Sequence, residues 1–87
     1  MAFNNFGAIT TLAAGAQVTW WFNLNGGEDR GAQTAWPDVK PSGNGPTHIA
    51  FNQSKRRTGT GYTEYGVTIR NVGGEAGTHN LQGGGFV

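Results

Sequence analysis

The side chains able to carry chemistry are few. There are two imidazoles, His48 and His79, and five carboxylates, Glu28, Asp29, Asp38, Glu64 and Glu75; cysteine is absent. General acid–base catalysis needs a pair of titratable groups held in different environments. All of the acids except Glu64 fall in segments that read as loops, and the adjacent Glu28 and Asp29 form a pattern that solvates a loop. No enzyme is expected. Each histidine sits on an expected strand beside inward residues, so both are expected to face outward. No His-x-His or His-x-x-x-His spacing occurs and no third ligand presents itself, so no metal or cofactor is expected. The two rings would meet only if their strands lay side by side. Gly83-Gly84-Gly85 and the Gly59-x-Gly61 tip invite a phosphate-loop reading. Neither leads into a helix N-terminus, which supplies the anion-binding dipole. Turn or tail flexibility is expected there instead.

The densest cationic run is Lys55-Arg56-Arg57. With Arg70 it would neutralise a few phosphates of a nucleic acid or an anionic surface. Yet Glu64 is expected across the same hairpin, only 13% of residues are charged, and the formal net charge is +1. A solvated tip that keeps a sheet edge from aggregating accounts for the run equally well. The tryptophans are more informative. Trp20 and Trp21 are neighbours in an alternating segment, and Trp36 precedes Pro37. If Trp20 faces the core with Val18, Phe22 and Leu24, Trp21 must face the other way. Two roles compete for Trp21. It is covered by a loop or by a second subunit, or it forms a platform on which a ligand stacks. Aromatic rings suit the apolar faces of sugars, with neighbouring polar groups bonding the hydroxyls. Trp21 and Trp36 would stack, and Asn23, Asp29, Arg30 and His48 would bond hydroxyls, with Thr19 and Gln33 in reach.

The elements that must position these residues read as β throughout. Residues 3–9 form a first strand and residues 12–15 a turn. Residues 16–24 alternate most clearly and end at Asn25-Gly26-Gly27, whose residues accept positive φ. Residues 28–46 hold all three prolines and read as a long irregular stretch, with a short strand hidden around 33–36. Residues 47–52 form a strand with Ile49 and Phe51 inward and His48, Ala50 and Asn52 outward. Residues 55–61 form a basic, glycine-rich tip. Residues 62–72 place Tyr65, Val67 and Ile69 inward and Thr68 and Arg70 outward. Gly73-Gly74 turns the chain, residues 78–82 make a short last strand with Leu81, and a glycine tail closes the sequence. The 87 residues, 16 of them glycine, allow one domain of five or six strands. An antiparallel β-sandwich or a small barrel is the expected all-β architecture. With so thin a core and no disulfide, closed sheet pairing, aromatic packing or oligomerisation must supply stability.

Tyr65-Gly66-Val67-Thr68-Ile69-Arg70-Asn71-Val72-Gly73 resembles the strand and Asn-x-Gly turn of small bacterial immunoglobulin-like modules. Leu12-Ala13-Ala14-Gly15-Ala16-Gln17-Val18-Thr19-Trp20 is similar to their Leu-x-x-Gly lead into an aromatic strand, although the two motifs stand in the reverse of the usual order. The resemblance covers about a fifth of the chain by simple count of the quoted residues. It implies a sandwich and a recognition or spacer role, and it transfers no site. Three functions follow. The first is a non-enzymatic, lectin-like module for glycans, made multivalent by forming a homo-oligomer. The second is a self-assembling structural protein that uses the Trp21 face as its interface. The third is nucleic-acid or anionic-surface binding. No apolar run reaches the ~18 residues of a membrane span. The first residues lack the basic and apolar segments of a secretory leader. The compartment is left open, either the cytoplasm or export without a cleaved leader.

Overall fold

A computed structural model describes residues 4–23, 26–41, 43, 45–59 and 61–85, with side chains described from residue 9 to residue 84 of these. The chain is all-β. It contains β1 (Asn4–Leu12), β2 (Gln17–Phe22), β3 (Gln33–Val39), β4 (His48–Arg57), β5 (Thr63–Asn71) and β6 (Gly77–Gly85). They form two three-stranded antiparallel sheets, ordered β1-β6-β3 and β2-β5-β4. Leu12, Ala35 and Leu81 of the first sheet meet Val67 and Ile69 of the second in one buried cluster. The inward set expected on β5, Tyr65, Val67 and Ile69, is buried, and so is Leu81 of β6.

The turn from β1 to β2 shows how local chemistry sets register. Ala16 N donates to Ala13 O at 3.0 Å, and Gly15 adopts φ of 81°. Gly15 N donates to Asn71 O and Asn71 N donates to Ala16 O, at 2.8 and 2.9 Å. This is a β-turn closed by a bulge with glycine in the left-handed position, and it locks β2 onto β5. Register then runs from Gln17 opposite Arg70 to Phe22 opposite Tyr65. Val18, Trp20 and Phe22 turn toward the core, while Gln17, Thr19 and Trp21 face solvent. Leu24, expected on the inward face, lies outside the described residues, as does Asn25.

At this same end of β5, Asn71 is fully buried. Its amide donates to Leu12 O at 3.0 Å and Glu75 O at 2.7 Å, and its Oδ1 accepts from Gly73 N at 2.9 Å. The Asn-x-Gly segment is therefore a side-chain-stabilised turn that also ties β5 to the end of β1.

Several expectations are corrected. The stretch 28–46 is not irregular throughout, because Gln33–Val39 is a full edge strand. Pro37 is accommodated there because an edge position leaves one side of the strand without ladder partners. The three terminal glycines are not a tail. Gly83 pairs with both Asn4 and Ala35, Gly84 with Thr34 and Gly85 with Gln33. The expected basic tip begins too early, since Lys55, Arg56 and Arg57 complete β4.

The parity of β4 is also reversed. His48 and Ala50 lie opposite Asn71 and Ile69 on the inward face, whereas Ile49 and Phe51 lie opposite Arg70 and Thr68 on the outer one. Ile49 is exposed and His48 is buried. The register of β5 decides this, because its buried residues set which face of β4 looks inward. A register shift between Phe51 and Ser54, with Asn52 at φ of 55°, then interrupts the alternation.

Candidate functional site

The residues singled out for chemistry do not converge on one site. Trp21 stands on the outer face of the β2-β5-β4 sheet. Trp36 stands on the outer face of the other sheet, because its neighbour Ala35 is in the core. Asn23 is exposed just beyond β2. Asp29 and Arg30 belong to the loop before β3. His48 lies inside, between the sheets. Arg70 is exposed on β5 between Gln17 and Ile49.

Trp21 has its companion within the chain. It is paired in register with Gly66, and a Cβ on Gly66 would stand 2.6 Å from the indole. A glycine is needed there so that the ring can lie on the backbone of β5. The Arg56 guanidinium sits 3.8 Å from the ring centroid, and its Nε donates to Glu64 Oε1 at 3.1 Å. The cation is thus held over the indole by a carboxylate on the adjacent strand. Even so, Trp21 stays 42% exposed.

The other cations of the run are engaged too. Lys55 Nζ lies 2.6 Å from Asp29 Oδ1, and an Arg57 terminal nitrogen lies 3.1 Å from Asp29 Oδ2. Asp29 Oδ1 also accepts from Gly31 N at 2.9 Å. The Lys55 contact first, then this backbone donor, hold the Asp29 carboxyl below its ordinary range. Tyr65 anchors the same loop, donating its hydroxyl to Gly31 O at 2.8 Å and accepting from Arg30 N at 3.1 Å. Beside it lies a cleft of about 240 Å³ walled by Phe22 and Tyr65 and rimmed by Gln33, Gln53, Ser54 and Lys55. Its long polar side chains are already used. Gln53 Oε1 accepts from Ala35 N, Gln33 donates to Arg30 O, and Lys55 holds Asp29.

Trp36 differs. It is 61% exposed, and neither a ring contact nor a cation stack involves it among the described residues. Its register partner is Gln82 of β6, and Thr34 and Asp38 share its face of β3. The result is a flat indole with a carboxamide beside it and a hydroxyl and a carboxylate in line. Lys40 Nζ holds Asp38 Oδ2 at 2.8 Å.

The expectation of two outward histidines fails completely. His48 and His79 come from opposite sheets and meet between them, Nδ1 to Nδ1, at 2.9 Å. Trp20 Nε1 donates to His79 Nε2 at 3.4 Å. That contact settles the proton positions for a neutral pair. His79 accepts at Nε2, so it carries its proton on Nδ1 and donates to His48 Nδ1. His48 then carries its proton on Nε2, a buried atom with no hydrogen-bond partner among the described residues. Burial lowers the pKa of both rings, and His48 lowers that of His79 further. Sequence reasoning missed the pair because the parity of β4 was read from Ile49 and Phe51. One signal was available: Gly77 lies two residues before His79 and faces inward, where a Cβ would stand 2.8 Å from His48 Nε2.

No group of three or more potential metal ligands occurs among the described residues, and no described helix is long and apolar enough to cross a membrane. Comparison with family models, with curated proteins and with solved structures yields no match.

Proposed function

We propose that this protein is a non-enzymatic recognition module whose ligands are carbohydrates, bound at the outer face around Trp36. The observation that carries the reading is the 61% exposure of an indole on a sheet face, bordered by Thr34, Asp38 and Gln82. Sugar rings present C–H groups to an aromatic face and hydroxyls to polar neighbours at its edge. An edge strand of a sandwich gives such a platform a rigid backing, and no buried cavity is required. Trp21 is the lesser candidate, because Arg56 already covers part of its ring. Nucleic-acid binding through Lys55, Arg56, Arg57 and Arg70 is not carried forward, since Lys55 and Arg57 share Asp29 and Arg56 holds Glu64, which leaves a net charge of only about one in the run.

The test is an NMR titration of the indole N–H resonances with a panel of mono- and oligosaccharides. At least one sugar shifts the Trp36 resonance in a saturable way. Trp36→Ala abolishes binding with the fold retained, and Trp21→Ala leaves it. A panel that moves no Trp36 resonance sinks the proposal.

A further inference from the structure

The two sheets have four edge strands, β1 and β3 in one and β2 and β4 in the other. An edge offers unpaired N–H and C=O groups to any second strand, and proteins blunt such edges with bulges, prolines and charge. Three of the four are blunted in this way. β1 changes register between Phe6 and Thr10. β3 carries Pro37 and the Asp38–Lys40 ion pair. β4 carries a register shift and ends in Lys55, Arg56 and Arg57. β2 has none of these devices. Its six residues, Gln-Val-Thr-Trp-Trp-Phe, are uncharged, proline-free and in unbroken register with β5.

The hydrogen-bond phase of β2 shows which groups that edge presents. Asn71 N bonds to Ala16 O, so Ala16 and Asn71 are a hydrogen-bonded pair. Such pairs recur at every second residue. Val18, Trp20 and Phe22 therefore bond to β5. Gln17, Thr19 and Trp21 direct their N–H and C=O groups away from it.

We infer that β2 is a pairing edge for a second copy of this chain, joined antiparallel about a two-fold axis at Thr19. Thr19 then lies opposite Thr19 of the other copy, and Gln17 lies opposite the other Trp21. Each of these pairs exchanges two backbone hydrogen bonds, and the two three-stranded sheets become one of six strands. The absence of charge on β2 suits this occupant, because like charges placed directly opposite oppose pairing. An isologous two-fold contact of this kind closes on itself and stops at the dimer. The inference is independent of the carbohydrate reading and fails or stands apart from it. If both hold, each dimer carries two Trp36 platforms, and avidity rises by linkage alone.

Sedimentation equilibrium of the intact protein, combined with amide hydrogen exchange, tests the inference. The wild type sediments as a dimer, and the Gln17, Thr19 and Trp21 amides gain protection as concentration rises. Thr19→Pro removes one edge donor at a position that does not bond β5, and Thr19→Lys sets two ammonium groups face to face. Both variants sediment as monomers, and Thr19→Lys serves if the proline variant does not fold. A wild type that stays monomeric up to about 1 mM overturns the inference. So does a dimer in which those amides exchange freely, or one that persists in the folded Thr19→Lys variant.

Discussion

The buried histidine pair makes stability depend on pH in a window set by the unfolded chain. The folded state holds both rings neutral, with pKa values below the ordinary 6.5. Once unfolded, each ring takes up a proton as pH falls through that value. The unfolded state therefore binds more protons, and stability declines with falling pH. Stability is complete above 6.5 and is lost progressively below it, down to the folded midpoints. Among the described residues no acidic group faces the pair to offset the incoming charge: the neighbours are Asn71 beside His48, Thr10 and Val39 beside His79, and Trp20, Pro46 and Gly77 around them. One pH unit below 6.5, each histidine still neutral in the fold removes about 1.4 kcal/mol. The pair removes at most about 3 kcal/mol there, the ceiling reached when both rings stay neutral, which is a large share of the stability of so small a domain. The critical variant is the double substitution His48→Leu/His79→Phe, which replaces both partners by apolar groups. It stays within about 2 kcal/mol of wild type near pH 8 and loses the acid slope between about pH 7 and about pH 5. The single His79→Phe variant leaves His48 Nδ1 buried without a donor and costs about 1–3 kcal/mol at neutral pH. Urea unfolding followed by tryptophan fluorescence at stepped pH measures all three. Equal slopes for wild type and the double variant would refute the argument, as would a wild-type stability that is flat across the window.

Two further outcomes are expected. Gly66→Ala drives a methyl into the Trp21 ring; it costs about 1–3 kcal/mol by overpacking and red-shifts the indole emission as Arg56 loses its seat, whereas an unchanged melting temperature and spectrum would contradict the placement of Trp21. Lys55→Met removes the largest cause of the lowered Asp29 pKa, so the carboxyl midpoint, followed by its carbon chemical shift, moves up toward 3.8; a midpoint that does not move rules out the Lys55–Asp29 contact in solution.

Legibility varied with how strongly neighbouring residues constrain one another. The segment at β2 was readable because alternation of Val18, Trp20 and Phe22 against Gln17, Thr19 and Trp21 admits one pleat. The same holds for Tyr65, Val67 and Ile69 on β5. β4 was not readable. His-Ile-Ala-Phe alternates equally well on either face, and hydrophobicity alone points Ile49 and Phe51 inward. β3 was hidden because its seven residues include Pro37 and a charge, signals that argue against a central strand and hold no force at an edge. The terminal glycines were misread because glycine reports permissiveness and not conformation.

The amino-acid order alone determined an all-β chain, its turns at Gly15 and Gly73-Gly74, and an indole at Trp21 that cannot share the core with Trp20. These follow from interactions within a strand or across a few residues. Tertiary structure decided which strands became neighbours, and with that everything that depends on facing partners. It set His48 against His79 across the sandwich, gave Trp21 its bed of Gly66 and Arg56, bound Lys55 and Arg57 to Asp29, and left Trp36 bare on the far face. These pairs lie 26 to 45 residues apart in the chain, with Trp21 and Gly66 the most widely separated. Local periodicity carries no information about which of two distant strands will meet, because burial of the whole apolar set selects that arrangement at once.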